Sequence, residues 1–157
     1  MQNTDRACIV IILIRAPSGE YFVHQRHLGK AQFPGRFGLG AGGSIEPGET
    51  PLDAARRELW EETGLKAAAT EPVHPLFQLN YDSPAARHRL HVFEHSTRAE
   101  PRHDSREWQW SGWLTEGQVS KLALQGKLCP DTNLAFERYV RDRAQASSAT
   151  SVASGKF

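Results

Sequence analysis

At 157 residues, 39% apolar and 24% charged, the chain has the length and composition of one soluble domain with a proper core, and it is too short for two ordinary ones. A formal net charge of +1 gives no case for coating a nucleic-acid polymer or lying on a membrane surface, while leaving nucleotides open as small ligands. The first apolar run, Cys8 to Ile14, is too short to cross a membrane and sits in no signal-peptide pattern, and Cys8 and Cys129, without metal-type spacing, read as buried free thiols of a cytoplasmic protein.

Ala7 to Ile14, rich in β-branched residues, predicts a strand buried on both faces. Ala16 to Gly19 make a turn, and Tyr21 to Gln25 returns as a second strand. Gln25, Arg26, His27 and Lys30 then form a basic stretch that Phe33, Pro34 and Gly35 force into a loop. Solvated charge is one reading of it, and phosphate contact by Arg26 and Lys30 is the other. Phe37 to Ser44 carries glycines at 38, 40, 42 and 43, so side chains are missing where the backbone must come close to something.

The next stretch predicts a helix from Pro51 to Thr63. Thr50 can cap it, Pro51 suits its first position, Asp53 lies in its first turn, and Gly64 can end it. Leu52, Ala55 and Leu59 share its apolar stripe. Glu58, Glu61 and Glu62 project together from the flank of that stripe, in the turn where the helix already carries partial negative charge. Each like-charge pair at this spacing costs roughly 0.2 to 0.5 kcal/mol. Between Gly43 and Leu65 six Asp or Glu face only two Arg, of which Arg57 can reach Glu61. Either the cluster is a solvated face, or a divalent cation held by the carboxylates, with water and phosphate oxygens completing its shell, resolves the conflict.

Gly43, Glu49, Arg57, Glu58, Leu59, Glu61, Glu62, Gly64 and Leu65, at these spacings, resemble the Nudix box without a gap or substitution. The box covers 23 of the 157 residues, so it indicates the family and leaves the substrate open. The resemblance implies a Nudix α/β/α sandwich with a mixed sheet. It implies Glu58, Glu61 and Glu62 as ligands of Mg²⁺ or Mn²⁺, with the Gly43 carbonyl as a further ligand. It also implies a Glu49–Arg57 pair that fixes the loop on the helix and orients the cluster; without the resemblance Glu49 would read as an exposed acid favoured by the helix dipole. Arg26 and Lys30, ahead of an aromatic-Pro-Gly turn, are similar to the stretch before the box in isopentenyl diphosphate isomerase, where a basic pair holds a diphosphate.

Beyond the helix, Val73 to Asn80 predicts a strand, Asp82 to Pro84 a turn, and Arg89 to His95 a strand with Leu90, Val92 and Glu94 on one face and His91, Phe93 and His95 on the other. His88, His91 and His95 make a poor zinc pattern, since His88 faces away from the other two. Arg106 to Trp113 is an aromatic-rich strand whose tryptophans, Trp108, Trp110 and Trp113, suit core or rim packing better than base stacking. In the Nudix family this late region often supplies another ligand or the base, and Glu107 is the first candidate here, Asp104 the second. Thr115 begins a helix that ends near Gly126, and Asp131 or Thr132 caps another. Residues 1–145 then form one Nudix domain, and the Ala-, Ser-, Thr- and Gly-rich stretch 146–157 predicts a disordered tail.

The order of elements is that of an α+β or mixed sandwich. The resemblance implies hydrolysis of a diphosphate linkage by metal-activated water, with a nucleoside diphosphate derivative as the default small-molecule substrate and Arg26 and Lys30 on its phosphates. Two alternatives stand beside it. A non-catalytic Nudix domain that senses a nucleotide or metabolite usually lacks box carboxylates, and none is missing here. The isomerase places a catalytic Cys and a metal-binding His around the first box glycine, where this chain has Gly42 and Ser44. Trp60, off the main apolar stripe, is free to cover another element or a partner subunit, which leaves a homodimer open.

Overall fold

The computed structural model describes residues 6–154, with side chains described through Ala149. Its central strand, β1 (Ala7–Arg15), is the β-branched run near the start of the sequence. Because both faces of this run are apolar, it belongs where a sheet is covered on both sides. Val10, Ile12 and Ile14 enter one core, and Ile11 and Leu13 the other.

Along one edge, β1 pairs in parallel with β6 (Arg87–Ser96) over its whole length, from Ala7 opposite His88 to Arg15 opposite Ser96. Its other edge is shared. The hairpin partner β2 (Tyr21–Arg26) touches β1 only at Arg15 and Tyr21, and β4 (Ala41–Ser44) takes over from Ile12 to Ile9. β2 pairs instead with β3 (Phe37–Leu39), and Gly40 carries the chain from one branch to the other. Gly40 has φ +62, and a Cβ there would collide with the Ile12 carbonyl oxygen, so only glycine fits. The sheet therefore splits beyond the hairpin, and a cleft opens between its two branches.

β7 (Trp108–Leu114) extends the β2 branch, and β5 (Val73–Asp82) pairs with β6 at the opposite end of the seven-stranded sheet. Helix α1 (Pro51–Thr63) packs Ala54, Ala55 and Leu59 on one face. Helices α2 (Glu116–Leu124) and α3 (Pro130–Ser154) bring Val119, Ala135, Phe136 and Tyr139 to the other. The result is the α/β/α sandwich with a mixed sheet that the resemblance implied. Among the described residues, no helix is long and apolar enough to cross a membrane.

The bounds of α1 agree with its expected chemistry: Thr50 Oγ1 accepts from the Asp53 N–H at 3.1 Å, and Gly64, at φ +70, donates its N–H to Trp60 O at 2.9 Å. The glycine-rich stretch, for which no element was expected, forms two strands, β3 and β4, because its backbone pairing does not depend on side chains. Four expectations change. The aromatic-rich strand begins at Trp108 and not at Arg106, since Arg106 and Glu107 lie in a turn. α3 starts at Pro130, ahead of both proposed caps, and Asp131 lies in its first turn. The helix continues through Ala146 to Ser154, where the composition predicts disorder, its Ala residues being strong helix formers; the last three positions of that predicted tail, 155–157, lie outside the described residues. Cys129 is buried as expected, but Cys8 is exposed, because β1 becomes covered only from its third residue onward.

Candidate functional site

The C-terminal half of α1 leans on β4, and the glycines of β4 let it come close. A Cβ on Gly43 would collide with the Glu58 carboxylate. The N–H of Gly42 donates to Glu62 Oε1 at 2.7 Å, which holds that carboxylate against the strand. Upstream, Arg57 grips Glu49 with a fork, Nε to Oε2 at 2.8 Å and Nη2 to Oε1 at 2.9 Å, and Nη2 also donates to the Ser44 carbonyl at 3.0 Å. Its Nη1 reaches Glu58 Oε1 at 2.8 Å and Glu61 Oε2 at 3.3 Å. One guanidinium thus ties the loop before the helix, the strand and two of the clustered glutamates together.

Burial separates the three glutamates. Glu61 stands in solvent, whereas the side chain of Glu58 is 14% exposed and Glu62 is 9% exposed. Desolvation raises the pKa of Glu58 against the pull of Arg57. It pushes Glu62 up to about 8 against the Gly42 hydrogen bond, with the charges of Glu58, Glu107 and Asp104 adding to the rise. The two late candidates therefore come into the field of Glu62. Asp104 is buried, accepting from the N–H of Arg106 at 3.1 Å, and Glu107 forms an ion pair with Lys30. Glu49, by contrast, is held down at about 2, first by its bonds to Arg57.

The split in the sheet contains a cleft of about 600 Å³, within the range of small-molecule sites. Gly43, Glu58, Glu61, Glu62, Asp104 and Glu107 line it, together with Arg26 and Lys30. Arg26 is steadied by a hydrogen bond from Nε to Gln32 O at 2.9 Å. Glu49 and Arg57 lie behind this lining and make their contacts with the loop and the helix. The sequence-selected residues thus gather at one site, and Lys30 is found on Glu107 as well as beside the cleft.

An all-oxygen set of carboxylates and a carbonyl suits a hard divalent cation such as Mg²⁺ or Mn²⁺. Burial first, and the neighbouring acids second, disfavour the ionised forms of Glu58 and Glu62, a cost that a bound cation would relieve. By donor type and charge the residues fit such an ion. They do not form a closed cage: among the described residues no three His, Cys, Asp or Glu side chains are gathered into a ready ligand group. An ion that keeps several of its waters does not require one.

Two features, His24 and Arg102, had no reading in the sequence, and a third, the pairing of His88 with Asp131, joins residues that were read separately. His24 is buried in the cleft wall, stacked on Trp108 with ring centroids 4.6 Å apart, over Gly38, whose missing Cβ makes room for its ring. Burial pushes this imidazole down to about 4, and its Nδ1–H donates to Gly40 O at 2.7 Å. Arg102 closes on the end of α1, its N–H on Thr63 O at 2.8 Å and its Nη2 on Glu61 O at 3.3 Å, placing a cation where the helix has no basic residue of its own. At the far end of the cleft, His88 and Asp131 form a buried pair. His95 instead bonds Pro72 O at 3.2 Å through its Nδ1.

Comparison with known proteins adds to this geometry. The family model described as NUDIX domain matches residues 5–131. An uncharacterized Nudix hydrolase of Pseudomonas aeruginosa is 32% identical over 129 residues, covering 82% of this chain and 75% of that protein. A protein of Rhizobium meliloti named RNA pyrophosphohydrolase is 26% identical over 121 residues, covering 76% and 68% respectively. Among solved structures, a MutT protein from Methanosarcina mazei superposes with a TM-score of 0.73 over 91% of this chain and 99% of that one, at 24% identity, a likeness of fold.

Proposed function

The chain belongs to the Nudix hydrolase family, and on that premise we propose that it hydrolyses a diphosphate linkage in a nucleoside diphosphate derivative, with Mg²⁺ or Mn²⁺ as cofactor. The observation that carries this reading is Glu62. A carboxylate that is 9% exposed, with its pKa raised to about 8 and Glu58 beside it, opens on a cleft whose rim bears Arg26 and Lys30. Clustered carboxylates and two cations lining one cleft suit a phosphate–metal ligand better than either charge alone.

In this reading Glu58, Glu61, Glu62 and the Gly43 carbonyl would hold the cation, and Glu49 positions Arg57, which positions the glutamates. The chemistry supplied by a cation there would be neutralisation of phosphate charge and activation of water. Arg26 and Lys30 bind the non-bridging oxygens. Water oxygen bonds to phosphorus, the bond from phosphorus to the bridging oxygen breaks, and Glu107 takes the proton from water, with Asp104 as the second candidate for that role. Phosphate oxygens compete with Glu107 for Lys30, so substrate entry frees the base. Both cysteines are free thiols, which suits a cytoplasmic setting.

The test is a screen of diphosphate compounds with Mg²⁺ or Mn²⁺, scored by which bond breaks, and including an RNA that carries a phosphoanhydride because one relative is named RNA pyrophosphohydrolase. Cleavage at phosphorus in a nucleoside diphosphate derivative is the expected result. Tight binding without release of phosphate from any compound would instead make the domain a sensor.

A further inference from the structure

We propose that the far end of the cleft, formed by Asp131, His88 and Phe33, binds the base of the substrate and selects one that presents two adjacent N–H donors, the guanine-type edge. This rests on the nucleotide reading above and names the part of the nucleotide that the phosphate site leaves undefined.

The same cleft that begins at Glu58 and Glu62 ends at Asp131 and His88. The two ends lie on different sides of the sheet. Gly43 on β4 pairs with Val10 and His88 on β6 pairs with Ala7, so the two lie two strand spacings across and three residues along β1, roughly 14 Å apart. That leaves room for a sugar between phosphates and base.

Asp131 and His88 are 8% and 4% exposed, so the cleft end is a built polar site and not a solvated surface pair. Asp131 Oδ2 accepts from His88 Nδ1 at 3.1 Å, and Oδ1 accepts from the Thr132 N–H at 2.8 Å. A carboxylate oxygen has two acceptor positions, so each oxygen retains one. These acceptors line the cleft, and a ligand that covers them without donating would leave a desolvated carboxylate unmet. An alkyl chain, as in a prenyl diphosphate, would do that.

The walls favour a flat ring. Ile9, Ile11 and Leu39 supply apolar surface, and Phe33 lines the same cleft. Phe33 has φ +50, a left-handed conformation that costs a bulky residue energy. Its ring meets Tyr81 edge to face at 6.5 Å, and Tyr81 lies 6.2 Å from His88. An aromatic face beside a buried acceptor pair is suited to a nucleobase. Adenine and cytosine set an acceptor next to their amino group, and uracil flanks its N–H with two carbonyls. Guanine alone among the common bases offers an N–H and an amino group side by side, matching one open position on each Asp131 oxygen.

The test compares initial rates on GDP-, ADP-, CDP- and UDP-glucose. We expect kcat/KM for the guanine compound to exceed that for the adenine compound at least tenfold in the wild type. Asp131→Asn, which replaces one acceptor with a donor, should lower that ratio at least tenfold, mainly through KM, and Phe33→Ala should raise KM for the guanine compound. Equal rates on all four compounds overturn the proposal, as does an unaltered ratio in a folded Asp131→Asn protein. Should the wild type cleave none of them, the hydrolase reading is decided by the wider screen of diphosphate compounds. Calorimetric binding of GMP against AMP to the wild type then decides this proposal separately, a preference for GMP supporting it and equal or absent binding overturning it. The same comparison serves if the variants do not fold.

Discussion

Arg57 holds both oxygens of Glu49, Nε at 2.8 Å and Nη2 at 2.9 Å, and with its remaining nitrogen reaches Glu58 at 2.8 Å. The pair thus sets the position of one of the proposed cation ligands. Lysine is a point charge and cannot reproduce the fork. Arg57→Lys and Glu49→Gln should each lower kcat/KM by roughly 10- to 100-fold, as loss of support behind a metal ligand usually does. The folded pKa of Glu49, about 2, lies below its ordinary 4.5, so its contribution to stability is present above pH 4.5 and lost as pH falls toward 2. Urea melts at pH 6 and pH 3 should therefore show the gap between wild type and Glu49→Gln narrowing at the lower pH; a gap that widens there would contradict this.

The glycines at the split in the sheet separate two kinds of cost. Gly40→Ala places a Cβ against a backbone carbonyl in a left-handed conformation, and we expect losses of about 3 kcal/mol or more by denaturant melts. Gly48→Ala has the same conformational penalty, at φ +81, with open space around it, and should cost about 1 kcal/mol. Equal losses at both sites would remove the close approach of Gly40 to β1 as the reason for glycine there.

Without a cation, Glu62 should make the protein less stable as the medium becomes more alkaline. Its folded pKa, raised to about 8 from 4.5, means that the folded state binds the proton more tightly, so stability is fully present below pH 4.5 and falls as pH rises through 8. Thermal melts in chelator should drop between pH 5 and pH 9. Glu62→Gln should flatten that drop and melt several degrees above wild type at pH 9. Added Mg²⁺ should restore the wild type at high pH and leave the variant unchanged. A wild-type midpoint that rises with pH in chelator would contradict the burial argument.

Lys30 and Glu107 share an ion pair at the cleft mouth. If phosphate takes Lys30 from Glu107, Lys30→Ala should raise KM about tenfold with a smaller change in kcat, whereas Glu107→Gln should lower kcat by roughly 100-fold or more with little change in KM. The same effect on both parameters in both variants would mean that the pair acts only as a structural clasp.

The sequence carried the parts of the fold and site that depend on local chemistry. Thr50, Pro51 and Gly64 mark α1 residue by residue, because caps are made by the residues that occupy them. The acidic cluster was legible for a related reason: three glutamates in a final turn are a local conflict that needs an answer. What could not be read depends on distant partners. β3 and β4 are strands because β2 and β1 present free edges to them, and glycines give no pattern to announce that. His24 lies in an ordinary strand pattern, and its role as cleft wall needs Trp108 and Gly38, brought to it from elsewhere in the chain. Asp131 read as a helix cap, and only the packing of α3 on β6 turns it onto His88.

The most direct measurement is Mg²⁺-dependent phosphate release by Glu62→Gln beside wild type, on the best substrate from the screen, with the fold of both checked by circular dichroism. Loss of the buried carboxylate should abolish turnover while the fold and the melting transition persist. Unchanged turnover in the folded variant would contradict the assignment of the cation to this cluster.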